Sequence, residues 1–139
     1  MRISIVGSLD FTDEIKKAAD ILTERGDEVV IPHGSRLILS GQMTLKQIKQ
    51  GGAKQKADAG VIKYYYDEIN KSDAILAMNY TKKGIQNYIG GNTFLEIGFA
   101  FVLDKKIFLW NPIPEIEFYK TEIESMKPII INGDLSLIK

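Results

Sequence analysis

The sequence predicts a three-layer α/β sandwich built on a five-stranded parallel sheet of order 2-1-3-4-5. Three observations carry that prediction. Short β-branched runs alternate with helix-periodic segments along the whole chain, as they do where parallel strands are joined by helical crossovers. The run "DAILAMN" (73–79) is continuously apolar from Ala74 to Met78 rather than alternating, which fits a strand covered on both faces. Right-handed crossovers then restrict five such strands to few orders, of which 2-1-3-4-5 is the doubly wound one.

The elements follow in sequence. "RISIVGS" (2–8) is a β-branched run that stops at Gly7 and Ser8. Ile15, Ala18, Ala19 and Leu22 then recur at helical spacing, with Thr12 or Asp13 as cap and Gly26 as stop. "DEVVIP" (27–32) is a second strand, closed by Pro32. From His33 to Gly60 the periodicity weakens. "MTLKQIKQ" makes one or two helical turns and "GGAKQKADAG" is polar, basic and broken by glycine, so the segment is expected to be a mobile excursion. "VIKYYYDEINKS" (61–72) places Ile62, Tyr65, Tyr66 and Ile69 on one side of a helix. "DAILAMN" is the third strand, "YTKKGIQNYIGGN" a polar loop, and Thr93 to Leu103 an apolar helix. "KKIFLWN" (105–111), "EIEFYKTEIESM" (115–126) and "KPIIINGD" (127–134) read as strand, helix and strand. No linker, repeat or low-complexity tract interrupts residues 1–139, so one domain is expected.

Composition narrows the function. Eighteen basic and eighteen acidic residues cancel, so no bulk field draws in nucleic acid or an anionic membrane. The lysines at 46, 49, 54 and 56 carry no interleaved aromatic platform and read as a solvated face, not a nucleic-acid surface. Cysteine is absent and His33 is the single histidine, which excludes disulfides and thiolate metal sites and leaves little for zinc. Neither a signal-peptide core nor the roughly 18 apolar residues of a membrane span is present. A cytoplasmic protein is the expectation.

Ligands of doubly wound sheets bind beyond the carboxyl ends of the strands, where the winding reverses. Here that directs attention to residues 7–10, 79–93 and 111–114. Gly7 permits a close backbone approach, and Ser8 with the following amides can hold a phosphate or sugar oxygen; the same residues also suit a plain strand-to-helix turn. Asn79 ends the third strand at the crevice. Asp73, at a helix-to-strand junction, reads as a turn residue. In "GGNTFLEIG" (90–98), Gly91 allows close contact, Asn92 and Thr93 can cap the helix, and Glu96 is the lone acid of an apolar stretch. Thr93 and Glu96 match a capping box, in which Glu96 reaches back to the Thr93 amide. The alternative is a carboxylate aimed at a ligand, its protonation tuned by apolar surroundings.

Ser72-Asp73 leading into a buried strand, followed by "GGNTFLEIGFAFVLDKKIFLW", resembles the nucleoside 2-deoxyribosyltransferase-like superfamily, which includes 2'-deoxynucleoside 5'-monophosphate N-hydrolases. Thr93, Glu96 and Gly98 fall on positions of its helix-opening pattern. The resemblance implies a Rossmann-like, flavodoxin-like sheet of this order and a homodimer or higher homo-oligomer. It also implies a small nucleoside or nucleotide as ligand, with Glu96 as the carboxylate that attacks the anomeric carbon, a reaction that needs no metal or organic cofactor. Gly7, Ser8, Asn79, Gly91, Asn92 and Thr93 would line the substrate pocket. The chain departs from the family in having Gly90 where an Asp handles the base or a Ser the phosphate, Asn92 for the pattern glycine, and Tyr65 for an Asp of the preceding helix. Loss of the base-handling acid points to hydrolysis rather than transfer. A non-catalytic nucleotide-binding or sensing domain is the competing class, and an interaction module using the tyrosine cluster and the 112–128 segment is a third.

Overall fold

The computed structural model describes residues 1–139. β1 (Arg2–Val6), β2 (Glu28–Val30), β3 (Ala74–Ala77), β4 (Lys106–Leu109) and β5 (Ile129–Ile130) form one sheet in the order β2-β1-β3-β4-β5, and every neighbouring pair is parallel. Class and strand order are those the sequence predicts. Ser4 sits opposite Val30 on one side and Ile75 on the other, so the chain winds outward from β1 in both directions. The crevice of the switch point therefore opens at the carboxyl ends of β1 and β3.

Six helices accompany the sheet: α1 (Thr12–Glu24), α2 (His33–Leu39), α3 (Leu45–Ala59), α4 (Val61–Lys71), α5 (Gly91–Val102) and α6 (Lys120–Ser125). Successive strand residues point to opposite faces, and two cores result. Ile3, Ile5, Ala74 and Leu76 pack with Ile15, Ala18 and Leu22 of α1 and with Ile138 near the chain end. Val6, Ile75 and Ala77 pack with Tyr65 and Ile69 of α4, Ile97 and Ala100 of α5, and Ile123 of α6. This two-sided cover is why "AILA" carries no polar alternation. Each buried Ile or Leu contributes about 1.5–3 kcal/mol. No helix is long and apolar enough to cross a membrane.

Residues 33–60, expected as a mobile excursion with one or two helical turns in 43–50, form two helices, the second of which contains those turns and runs on to Ala59. Thr44 Oγ1 accepts the Gln47 amide at 3.1 Å and Gln47 Oε1 accepts the Thr44 amide at 2.9 Å, a capping box that nucleates α3. The paired glycines hid it: Gly52 has φ 61° and ψ −157° and breaks α3 into two segments. Other elements differ at their ends. Neither Thr12 nor Asp13 caps α1; Ser8 caps a 3-10 turn at Leu9–Phe11 that runs into it. The helix expected across 115–126 is confined to α6. Ile62 is exposed, whereas Tyr65 and Ile69 are buried. Asp73 is structural, its Oδ2 accepting the Arg2 amide at 2.7 Å.

Candidate functional site

Glu96 belongs to α5, which begins earlier than the capping pattern requires. Gly90 occupies the N-cap position with extended backbone and no side chain caps the helix. Thr93 is thus the third helical residue and Glu96 the sixth, beyond reach of the free amides of the first turn. The capping-box reading of Thr93 and Glu96 is overturned, and with it the expectation that Asn92 or Thr93 caps. Gly90 and Gly91 let the helix start ahead of Asn92 and Thr93. Tyr88 lies over Gly90, and a Cβ on residue 90 would stand 3.3 Å from its ring and hydroxyl.

The Glu96 side chain is therefore free of its own backbone. It is 7% exposed, and its Oε1 accepts from Asn92 Nδ2 at 3.3 Å, one turn back on the same helix face. No cation pairs with it, and burial alone raises its pKa from 4.5 to about 8. Oε2 accepts no hydrogen bond. Arg2 Nε is the one sealed side-chain polar atom of the molecule without a partner, so Oε2 is not sealed and opens on accessible space.

Tyr65 of α4 is the neighbour that sequence reasoning noted only as a departure. Its buried hydroxyl donates to the carbonyl of Ile5 and lies 3.3 Å from that of Val30, fastening α4 across the carboxyl ends of β1 and β2. Burial raises the Tyr65 pKa well above 10, and the charge of Glu96 raises it further. Tyr65 and Glu96 thus lie on the two helices that cover the same face of the sheet, with Ile69 and Ile97 packed in one core.

A second cluster lies just past the same strand end. Lys82 Nζ donates to Ser8 Oγ at 2.9 Å and pairs with Asp10 at 2.8 Å, while its ammonium sits 5.4 Å from the centre of the Tyr88 ring. Lys49 of α3 pairs with the other Asp10 oxygen at 2.7 Å. Hydrogen bonds from Lys49 and Lys82 hold the Asp10 carboxyl below its ordinary pKa. Neither Asp10 nor Lys82 carries a sequence signal, since a single lysine in a polar loop matches no motif.

The other expected site residues are distributed unevenly. Ser8 belongs to the Lys82 cluster and Asn92 to Glu96. Thr93 is buried, and Gly91 is open, with no atom near the place of a Cβ. A Cβ on Gly7 would meet the Met78 carbonyl at 3.0 Å, so its missing side chain serves the approach of the two chain segments. Asn79 has both amide hydrogens committed, to the carbonyls of Asn111 at 3.0 Å and Pro112 at 3.1 Å, and its Oδ1 accepts the Asn111 amide at 2.8 Å. Asn111 Nδ2 returns a bond to the Asn79 carbonyl at 3.0 Å. Asn79 therefore clamps the loops after β3 and β4 together. Asn79→Ala should lower stability by about 1.5–4.5 kcal/mol, three bonds at about 0.5–1.5 kcal/mol each, as measured by urea denaturation.

Two hollows lie away from Glu96. One of about 310 Å³ is lined by Phe101, Lys106, Met126 and Ile129 near the amino ends of β4 and β5, and an open one of about 620 Å³ lies against Leu45, Lys46, Lys49 and Gln50 of α3.

No family model matches the chain, and no curated protein matches it. Among solved structures it is similar to the CMP N-glycosidase BcmB of Clostridium botulinum, at 21% identity over 95% of this chain and 90% of that one, with a TM-score of 0.49.

Proposed function

We propose that the chain hydrolyses the N-glycosidic bond of a nucleoside, nucleotide or related N-ribosyl compound, with Glu96 as nucleophile. The observation that supports this is a buried carboxylate unpaired with any cation and unused as a cap, one oxygen without a hydrogen-bond partner and not sealed from solvent. Burying an acid without such a partner is costly, and folds retain such groups at sites of chemistry more often than elsewhere. The agreement of Thr93, Glu96 and Gly98 with the superfamily pattern points the same way.

The reaction needs little beyond these groups. A Glu96 oxygen attacks the anomeric carbon as the bond to the base nitrogen breaks, and the base leaves with the electron pair and takes a proton from solvent. The resulting glycosyl ester is then hydrolysed by water, which frees the sugar and regenerates Glu96. Asn92 orients the attacking carboxylate. Gly7, Ser8, Gly91 and Thr93 line the sugar side of the pocket, whereas Asn79 contributes by holding its wall.

One observation favours a second reading. A carboxyl with a pKa of about 8 is mostly protonated at neutral pH, which suits a donor to a ribose hydroxyl in a non-catalytic nucleotide-sensing domain. A nucleoside and nucleotide panel separates the two. The hydrolase releases free base, detected chromatographically, from at least one member. A panel member that raises the melting temperature and is never cleaved supports the sensor instead.

A further inference from the structure

We infer that α3 is a hinged strap lying beside the crevice and latched to it by the Lys49–Asp10 ion pair. None of the fifteen residues of α3 is buried, so the apolar burial that anchors α1, α4, α5 and α6 is missing. An open hollow lies against its first turns. Glycines in the left-handed region stand before it at Gly41 (φ 77°), within it at Gly52 and after it at Gly60 (φ 61°). These are positions where backbone can turn at low steric cost. A Cβ on any of the three would meet nothing within 4 Å, so the glycines serve backbone conformation and not packing.

The latch is a named contact. Lys49 is the α3 side chain that forms an ion pair with the rest of the molecule, and its partner Asp10 also holds Lys82 against Ser8. Lys49 is about half exposed, and such pairs are weak. A strap held by a weak pair and no core opens often without unfolding the sheet. When it opens, the already exposed Asp10 loses its Lys49 partner, the less exposed Lys82 gains access to solvent, and the approach to the end of β1 widens. The proposal does not depend on what reaction the crevice performs.

The test is hydrogen exchange on the full chain with a labelling readout at Lys82. Lys49→Gln and Asp10→Asn should each speed amide exchange across residues 45–59 by about two- to five-fold, the range of an exposed ion pair. Exchange in β1 and β3 should stay unchanged. Lys46→Gln, one turn away on the same helix, should leave α3 at the wild-type rate. In Lys49→Gln, which keeps the Lys82–Asp10 pair, acylation of Lys82 by a water-soluble N-hydroxysuccinimide ester should also quicken by about two- to five-fold. Unchanged exchange in Lys49→Gln, or equal loosening by Lys46→Gln, overturns the latch. Faster α3 exchange with no faster labelling of Lys82 overturns the placement of the strap beside the crevice. Asp10→Asn is the variant more prone to misfold, and the exposed Lys49→Gln keeps the test decisive.

Discussion

Glu96→Gln should abolish base release, with a loss of at least about a thousandfold in kcat, while the protein folds and keeps its ligand-induced thermal shift. Glutamine preserves the shape and the contact with Asn92 but cannot form the glycosyl ester. Release assayed by chromatography on the best substrate of the panel measures the loss. Activity within tenfold of wild type would remove Glu96 from the reaction. Because the nucleophile must be ionised, kcat/KM should climb between pH 6 and 8 and level off above about 8, where the free protein's Glu96 has lost its proton. A profile that falls over that range would assign Glu96 the part of an acid.

The same carboxyl should leave its mark on stability. Its folded pKa of about 8 lies above the ordinary 4.5, so between those values the native state holds a proton that the unfolded chain has released. Stability linked to Glu96 is therefore greatest below pH 4.5, declines as pH rises from 4.5 to 8 and is constant above. The full shift corresponds to at most about 5 kcal/mol at 1.36 kcal/mol per pH unit. Glu96→Gln, neutral throughout, should lack this decline and exceed the wild type in stability at pH 8. Urea denaturation at pH 5, 6.5 and 8 reads the difference. Parallel slopes for the two proteins would mean that Glu96 is solvated rather than buried.

Much of the fold was legible because its signals are local. β1 and β3 announce themselves by apolar runs that two-sided burial requires, and α1 by Ile15, Ala18 and Leu22. The crossover rule then orders the strands with no knowledge of contacts. The 33–60 segment was legible only in the helical turns of 43–50, since α3 buries nothing and so has little apolar period to display; its Thr44–Gln47 capping box was a further available sign. At the site, the lone acid in an apolar helix identified Glu96, but the choice between cap and crevice depended on where α5 begins. That is set by Gly90 and Gly91, whose freedom leaves several starts open. Asn79 was expected to face a ligand, yet its amide turns to Asn111 and Pro112, partners more than thirty residues away that no local pattern can disclose. Lys82, Asp10 and Tyr65 meet only through the tertiary fold.

The reciprocal bonds between Asn79 and Asn111 and the bare contacts of α3 make two neighbourhoods of the strand ends mechanically unequal. The loops after β3 and β4 are stapled to each other and keep their shape, while α3 has nothing buried. Under the proposed function, discrimination among ligands by rigid fit belongs to the stapled loops, and tolerance of bulk to α3. Sequence changes that broaden the range of accepted molecules should accordingly accumulate in residues 41–60 before they touch 79 or 111.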